Sequence, residues 1–200
     1  MRSRLISLAL LLAIFTGTAM AAPANDKPDF LVDADWLAEK IKDPKLVLLE
    51  VRYHPHRHAT VGHIAGAVQV QRFADLGAND EMPIMRFPSR EAFQASLRRW
   101  GINDDSTLVV YDDSSTALAS RVIFLLDLYG FDMKRVKLLD GGTIGWSNFT
   151  EFTKTPSARP VPGKVTLKPA AASRMVGWTD VYRRFVAERK PTLTLVDARP

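Results

Sequence analysis

Between residues 29 and 152, short apolar runs alternate with segments whose apolar positions recur every three or four residues. Leu46–Val51 is almost continuously apolar, which is typical of a strand buried on both faces. Phe93, Leu97 and Trp100 stand at i, i+4 and i+7 and therefore share one face of a helix. This alternation predicts an α/β fold with a central, mostly parallel sheet and helices on both faces.

Capping residues and glycines mark where the helices begin and end. Asp33 and Ser89 each precede a helical segment, and their side chains can accept backbone N–H groups of its first turn. Gly130 ends a third helix, because glycine adopts the positive φ of a helix terminus without strain. Further strands are expected at Val68–Val70, Leu108–Tyr111 and Val136–Leu139.

The pattern changes after residue 153. Residues 154–175 are rich in proline and predict an extended linker that is open to proteolysis. The next stretch repeats the opening helix and strand: Leu195-Val-Asp-Ala-Arg199 resembles Leu48-Leu-Glu-Val-Arg52, 147 residues earlier. We therefore expect a domain over 30–153, a linker, and the first helix and strand of a second copy, cut short, over 176–200.

The first 21 residues have the pattern of a secretory signal peptide. Arg2 and Arg4 precede an apolar run over Leu5–Phe15, and the small residues up to Ala21 fit a cleavage site. The run is shorter than the about 20 residues that a transmembrane helix requires. We expect cleavage after Ala21, export to a bacterial periplasm and no membrane attachment of the mature protein.

Composition excludes several kinds of site. The net charge is +5 at pH 7, but the basic residues are scattered along the chain, so the sequence predicts no nucleic-acid partner. The chain has no cysteine, which excludes disulfides, thiolate metal ligands and a cysteine nucleophile within it. The glycines at 62 and 66 do not form a dinucleotide-binding motif, and no cofactor is predicted.

The most distinctive polar stretch follows the strand that ends at Tyr111. It contains Asp112, Asp113, Ser114, Ser115 and Thr116 and leads into a helix. Carboxylates at a strand end can hold Mg²⁺ for phosphoryl transfer, so one hypothesis is a Mg²⁺-dependent phosphatase that uses the two aspartates. The phosphatase pattern requires Asp-x-Asp, and the third position here is Ser114. The hydroxyls of residues 114–116 could act as nucleophiles only with a nearby base, and the sequence does not supply one. The favoured interpretation is that Asp112 caps the helix.

All four histidines lie within ten residues, at 54, 56, 58 and 63. The spacing of His54, His56 and His58 would place three imidazoles on one side of an extended chain, a possible transition-metal site. No carboxylate lies between them in the sequence, so a solvated loop is the favoured interpretation.

Several motifs together resemble the rhodanese family, specifically the tandem thiosulfate and mercaptopyruvate sulfurtransferases. The matching residues are Val51-Arg52, Gly62-His63-Ile64-Ala65-Gly66-Ala67, Val110-Tyr111-Asp112, Ala119-Ser120-Arg121-Val122 and Leu139-Asp140-Gly141-Gly142 with Trp146. Ala65 replaces a usual proline of the family. The resemblance implies a three-layer rhodanese-like fold, with Arg52, His63, Asp112, Arg121, Asp140, Gly141, Gly142 and Arg199 as family scaffold.

The resemblance also implies what the loop after Tyr111 lacks. The catalytic copy in this family carries a cysteine where this chain has Asp112. Its thiolate accepts sulfane sulfur and passes it to cyanide or a thiol. Residues 112–116 would then be a vestigial active-site loop, and no catalytic residue carries over to this chain.

Two interpretations of function follow. In the first, the chain is the N-terminal part of a sulfurtransferase whose second domain is cut short, and the parent protein binds a small sulfur-containing anion or a thiol acceptor. In the second, the chain is an exported, catalytically silent rhodanese-like binding module. The sulfur donor and the oligomeric state are left open.

Overall fold

The structure, a computed structural model, describes residues 28–77, 86–171, 174–189 and 192–197. In this part of the chain, five strands form one parallel sheet in the order β1-β5-β4-β2-β3. The strands are β1 (Leu31–Val32), β2 (Leu46–Val51), β3 (Val68–Val70), β4 (Thr107–Asp112) and β5 (Val136–Leu139). The sequence-based prediction of a parallel α/β sheet is confirmed.

Helices cover both faces of the sheet. They are α1 (Ala34–Lys40), α2 (Arg57–Thr60), α3 (Arg90–Arg99), α4 (Ala117–Leu128) and α5 (Gly142–Phe149), with a 3₁₀ turn at Met133–Arg135. Two expected helix starts are confirmed, because Asp33 Oδ1 accepts from the N–H of Trp36 at 3.0 Å and Ser89 Oγ accepts from the N–H of Ala92 at 3.2 Å.

Strand β4 shows how the core is divided between the two faces. Leu108 and Val110 pack with α3 and α4, whereas Val109 and Tyr111 point to the opposite face, where α1 and α5 lie. All four side chains are fully buried. The central strands therefore need apolar residues at consecutive positions, which is the pattern that the sequence carries.

Residues 157–168, here called the strap, cross the surface of this domain without helix or strand. The Gly163 N–H donates to the Arg98 carbonyl at 2.8 Å, and the Lys168 N–H donates to the Tyr129 carbonyl at 2.8 Å. Val165 and Leu167 are buried in the core beside α3 and α4. The segment is extended, as expected, but its alternating apolar residues hold it against the domain and it is not an open linker.

The segment after the strap is different. It contains helix α6 (Trp178–Val181), where a helix was expected, followed by a π-helical turn (Tyr182–Ala187). The strand expected around Leu195–Arg199 is wrong for its described residues, because 192–197 form none. A strand requires a neighbour, and the described part of the chain offers these residues no pairing partner. Arg199 and the predicted signal peptide lie outside the described residues, and within the described ranges no helix is long and apolar enough to span a bilayer.

Candidate functional site

The carboxyl ends of the parallel strands form the edge where α/β proteins place their ligands. Strand β4 ends there at Asp112, whose side chain is buried and faces the start of α4. Asp112 Oδ1 accepts from the N–H groups of Ser114 at 3.2 Å and Thr116 at 2.9 Å. Its Oδ2 accepts from those of Leu118 at 2.8 Å and Ala119 at 2.9 Å. These four N–H groups, here called the cradle, enclose the carboxylate.

The cradle is built at a conformational cost. Ser115 and Thr116 have φ angles of 53° and 71°, the left-handed region that side chains other than glycine rarely adopt. Such strain persists where other contacts stabilise it, and here the bonds to Asp112 turn the loop back on itself. The expected helix cap is present, although Asp112 supplies it from four residues before the N-cap position, Thr116.

Asp113 ties the β4 loop to the end of β2. Its Oδ1 accepts from the Tyr53 N–H at 2.7 Å, and its Oδ2 lies 3.3 Å from an Arg57 nitrogen and 3.7 Å from Arg52 Nη1. Both aspartates are thus occupied by donors from the protein itself. Within the described residues no group of three or more potential ligands could hold a metal ion, so the geometry gives the phosphatase hypothesis no support.

Beneath Asp113 lies a buried set of charged and polar groups centred on Glu50, here called the Glu50 network. Arg52 Nε donates to Glu50 Oε1 at 3.0 Å, and Arg52 Nη2 donates to the Gly62 carbonyl at 2.5 Å. His58 Nδ1 is in short contact with Glu50 Oε2. The His58 ring stacks on that of His63 at 3.7 Å between centroids. These contacts give the predicted scaffold residues Arg52 and His63 a definite place.

Tyr111 also belongs to this network. Its hydroxyl oxygen accepts from the Ile64 N–H at 3.1 Å. Burial and the nearby negative charge of Glu50 hold the pKa of Tyr111 well above its ordinary value of 10.0, so the phenol stays neutral.

The three histidines of the predicted metal motif do not form one cluster, although the ring centroids of His54 and His56 are 5.8 Å apart. His54 and His56 are exposed, as the solvated-loop interpretation requires, whereas His58 is buried in α2 against Glu50. The sequence analysis missed this pairing because Glu50, eight residues before His58, belongs to strand β2 and not to the segment that holds the histidines. The available signal was Glu50 itself, a charged residue inside an otherwise apolar strand.

The β5–α5 turn completes the edge. Gly141 and Gly142 have φ angles of 68° and 50°, and a Cβ at Gly142 would lie 2.5 Å from the Asp112 carbonyl oxygen. Asp140 precedes these glycines directly after β5. Farther along α4, Arg121 donates to the Leu76 carbonyl at 2.8 and 3.0 Å, and burial lowers its pKa.

An open depression of about 290 Å³ lies between the two loops, with Asp113, Thr116 and Ile144 among its lining residues. No nucleophile is prepared there. Of the hydroxyls that line it, Thr116 Oγ1 donates to the Ser115 carbonyl at 2.5 Å and not to a base. Beside the depression, Ser114 Oγ donates to Asp112 Oδ2 at 2.8 Å, and that carboxylate already accepts from the cradle. The site therefore has the shape of a ligand site and lacks a reactive group.

Comparison with known proteins gives a consistent picture. A family model described as a rhodanese-like domain matches residues 33–149. The 3-mercaptopyruvate sulfurtransferase of Escherichia coli is 29% identical over 181 residues, which is 86% of this chain and 61% of that protein. The thiosulfate sulfurtransferase of Corynebacterium glutamicum is 32% identical over 196 residues, which is 90% of this chain and 60% of that protein.

A solved structure agrees. The crystal structure of SseA from Escherichia coli, which has the rhodanese fold, matches with a TM-score of 0.71 at 28% identity. The match covers 86% of this chain and 66% of that one. The chain spans about three-fifths of the length of these curated relatives.

Proposed function

Because the chain belongs to the rhodanese-like domain family, we propose that it supplies the non-catalytic rhodanese domain of a sulfurtransferase of the thiosulfate or mercaptopyruvate type. In this proposal a cysteine on a further rhodanese domain carries the sulfur. Its thiolate attacks the sulfane sulfur of the donor, the bond from that sulfur to the rest of the donor breaks, and a persulfide forms. Cyanide or a thiol then takes the outer sulfur and regenerates the thiolate.

The observation that carries the proposal is the occupied cradle. Backbone N–H groups at a helix start stabilise a negative charge, and this is what a reactive thiolate requires. Here the four N–H groups of the cradle surround the carboxylate of Asp112. A carboxylate satisfies the same donors but cannot accept sulfane sulfur, so the loop keeps the architecture of an anion site in an unreactive form.

The first test is the activity of the chain itself. We expect no thiocyanate above background when the purified protein is given thiosulfate or 3-mercaptopyruvate together with cyanide, with the Escherichia coli relative as positive control. Turnover by the wild-type chain would overturn the proposal, because no residue of the loop can carry the sulfur.

The second test asks whether the cradle can support a thiolate. We expect the Cys thiol of Asp112→Cys to titrate well below the about 8.5 of a free cysteine, and to gain one sulfur atom by mass after incubation with donor. Ser147→Cys, at an exposed position near the carboxyl-terminal end of α5 and away from any helix start, is the matched control and should react as an ordinary thiol. Equal pKa values in the two variants would contradict the role assigned to the cradle.

The silent binding module remains the second candidate, since the same inert loop supports it. Two experiments distinguish the sulfurtransferase from the binding module. The first reads the nucleotide sequence after codon 200 for a rhodanese domain with a cysteine loop. The second measures whether such a domain loses activity without the present chain. Loss of activity supports the sulfurtransferase proposal. A cysteine-bearing domain that works equally well alone supports the binding module.

We also propose that the protein is exported and acts in the periplasm. The proposal rests on the basic start, the apolar run and the small residues up to Ala21. Amino-terminal sequencing of the mature protein from a periplasmic extract should start at Ala22. Recovery of the uncleaved chain from the cytoplasm would overturn it.

A further inference from the structure

A second group of side chains lies at the carboxyl edge, two residues beyond the ends of β2 and β3. These strands pair with Val51 opposite Val70, so Tyr53 and Arg72 leave the sheet side by side. The β4 loop is next to them, because Asp113 accepts the Tyr53 N–H. Arg72 therefore stands on the edge where proteins of this architecture bind ligands.

Arg72 is held by two aromatic rings. The central carbon of its guanidinium lies 4.2 Å from the ring centroid of Tyr53 and 4.2 Å from that of Phe73. Both rings are about half exposed, at 51% and 45%. Cation–π contacts at this distance fix the plane of the guanidinium before any ligand arrives. These three residues are here called the Arg72 clamp.

The guanidinium has no acceptor in the described part of the chain, and its Nε is buried without a hydrogen-bond partner. The other arginines of this edge are engaged: Arg52 with Glu50, and Arg57 with Asp113. Asp75, the acid closest after Arg72 in sequence, accepts instead from the Gln71 N–H and from Arg99. A buried donor left unpaired is destabilising, so an anion that reached it would recover that free energy.

We propose that the Arg72 clamp binds a small organic carboxylate. A guanidinium presents its N–H donors in a planar fork that fits the two oxygens of a carboxylate. The half-exposed rings of Tyr53 and Phe73 offer apolar contact to the organic part of such a ligand, which an inorganic anion cannot use. The site lies outside the cradle, and its occupancy requires no sulfur transfer.

The experiment follows the Nε–Hε signal of Arg72 by nitrogen-15 NMR in the full chain, assigned by its loss in Arg72→Gln. Sodium pyruvate, sodium sulfate and sodium chloride are titrated at constant ionic strength. We expect a saturable shift with pyruvate that far exceeds the shifts with the other two salts. A response that is equal for all three salts, or saturation by sulfate at the same or lower concentration, overturns the proposal.

Three variants locate the binding. Arg72→Gln should abolish saturable pyruvate binding, measured through the amide signals of residues 53 and 73. Arg72→Lys keeps the charge without the fork and should weaken binding at least about tenfold, the equivalent of one charge-assisted hydrogen bond. Arg90→Gln removes an arginine from α3 that is paired with Glu91 and should bind as wild type. Unchanged binding in a folded Arg72→Gln or Arg72→Lys protein would refute the assignment.

Discussion

Two stretches of this chain share a pattern and differ in structure. Leu48-Leu-Glu-Val-Arg52 lies in and just after β2, between β4 and β3, and Leu49 there is fully buried. Leu195-Val-Asp, the described part of the matching stretch, forms no strand, and Val196 is 78% exposed. The apolar pattern makes a strand possible, but neighbouring strands decide whether it forms.

The largest difference between the two stretches should come from their acids. Glu50→Gln removes the charge that neutralises Arg52 in a buried site, and we expect it to lower the free energy of unfolding by about 4 kcal/mol. Asp197→Asn changes an exposed position and should stay within about 0.5 kcal/mol of wild type. Urea denaturation followed by circular dichroism measures both, and equal losses would show that residue 197 is packed in solution.

The matching apolar positions should differ nearly as much. Leu49→Ala opens a cavity in the centre of the sheet and should cost about 3 kcal/mol. Val196→Ala removes a side chain from water and should change stability by less than about 0.5 kcal/mol. A loss above that limit for the second variant, in the same denaturation experiment, would mean that residues 192–197 find a partner surface.

The strap is a third case, because two of its side chains, Val165 and Leu167, are buried although the segment forms no strand. Leu167→Ala should cost about 2 kcal/mol, because its side chain is 4% exposed. Val161→Ala, in the same segment but 87% exposed, is the matched control and should be silent. Thermal unfolding compares the two variants, and equal melting temperatures would contradict the docking of the strap.

Proteolysis tests the same contrast without a substitution. Trypsin should cut after Arg183 and Arg184, which follow the exposed residues of α6, before it cuts after Lys164 and Lys168. The strap should resist because its backbone is bonded to the domain on both sides of Val165. First cleavage at Lys164 or Lys168 would show that the strap is an open linker in solution, as its proline content predicts.

The smallest effect concerns Tyr111 and is visible only in alkali. The folded protein holds the Tyr111 proton above the ordinary pKa of 10.0, whereas the unfolded chain releases it there. The unfolded state therefore binds fewer protons, and stability falls as pH rises above about 10. Tyr111→Phe should lose stability less steeply than wild type between about pH 9 and 11. Parallel curves would contradict the raised pKa.

The secondary-structure elements and their caps could be predicted from the sequence. Continuous apolar runs predicted the strands and period-3.6 patterns predicted the helices, and Asp33 and Ser89 cap the helices that they were expected to cap. Gly130 takes the positive φ angle that was expected at the end of a helix. These features depend on residues close together in the chain, where physical rules are strongest.

Contacts between different elements of the fold could not be predicted from the sequence. The Glu50–His58 pair depends on the path of the chain between β2 and α2, and the Arg72 clamp depends on the register between two strands. The strap was misread because proline content is typical of linkers, while the burial of Val165 and Leu167 depends on a surface formed by α3 and α4. The residue pattern of one segment does not reveal whether another part of the fold offers a surface for that segment to pack on.

The strap changes where this folding unit ends. The family match stops at residue 149, yet the apolar surface that Val165 and Leu167 cover belongs to the domain. Pro160 lies so close to Gly101 that a Cβ there would approach its ring to 2.7 Å. A protein shortened at residue 153 should therefore aggregate. Chimeras that exchange domains between relatives should place the junction beyond residue 171, so that each rhodanese-like domain keeps the strap that covers its apolar surface.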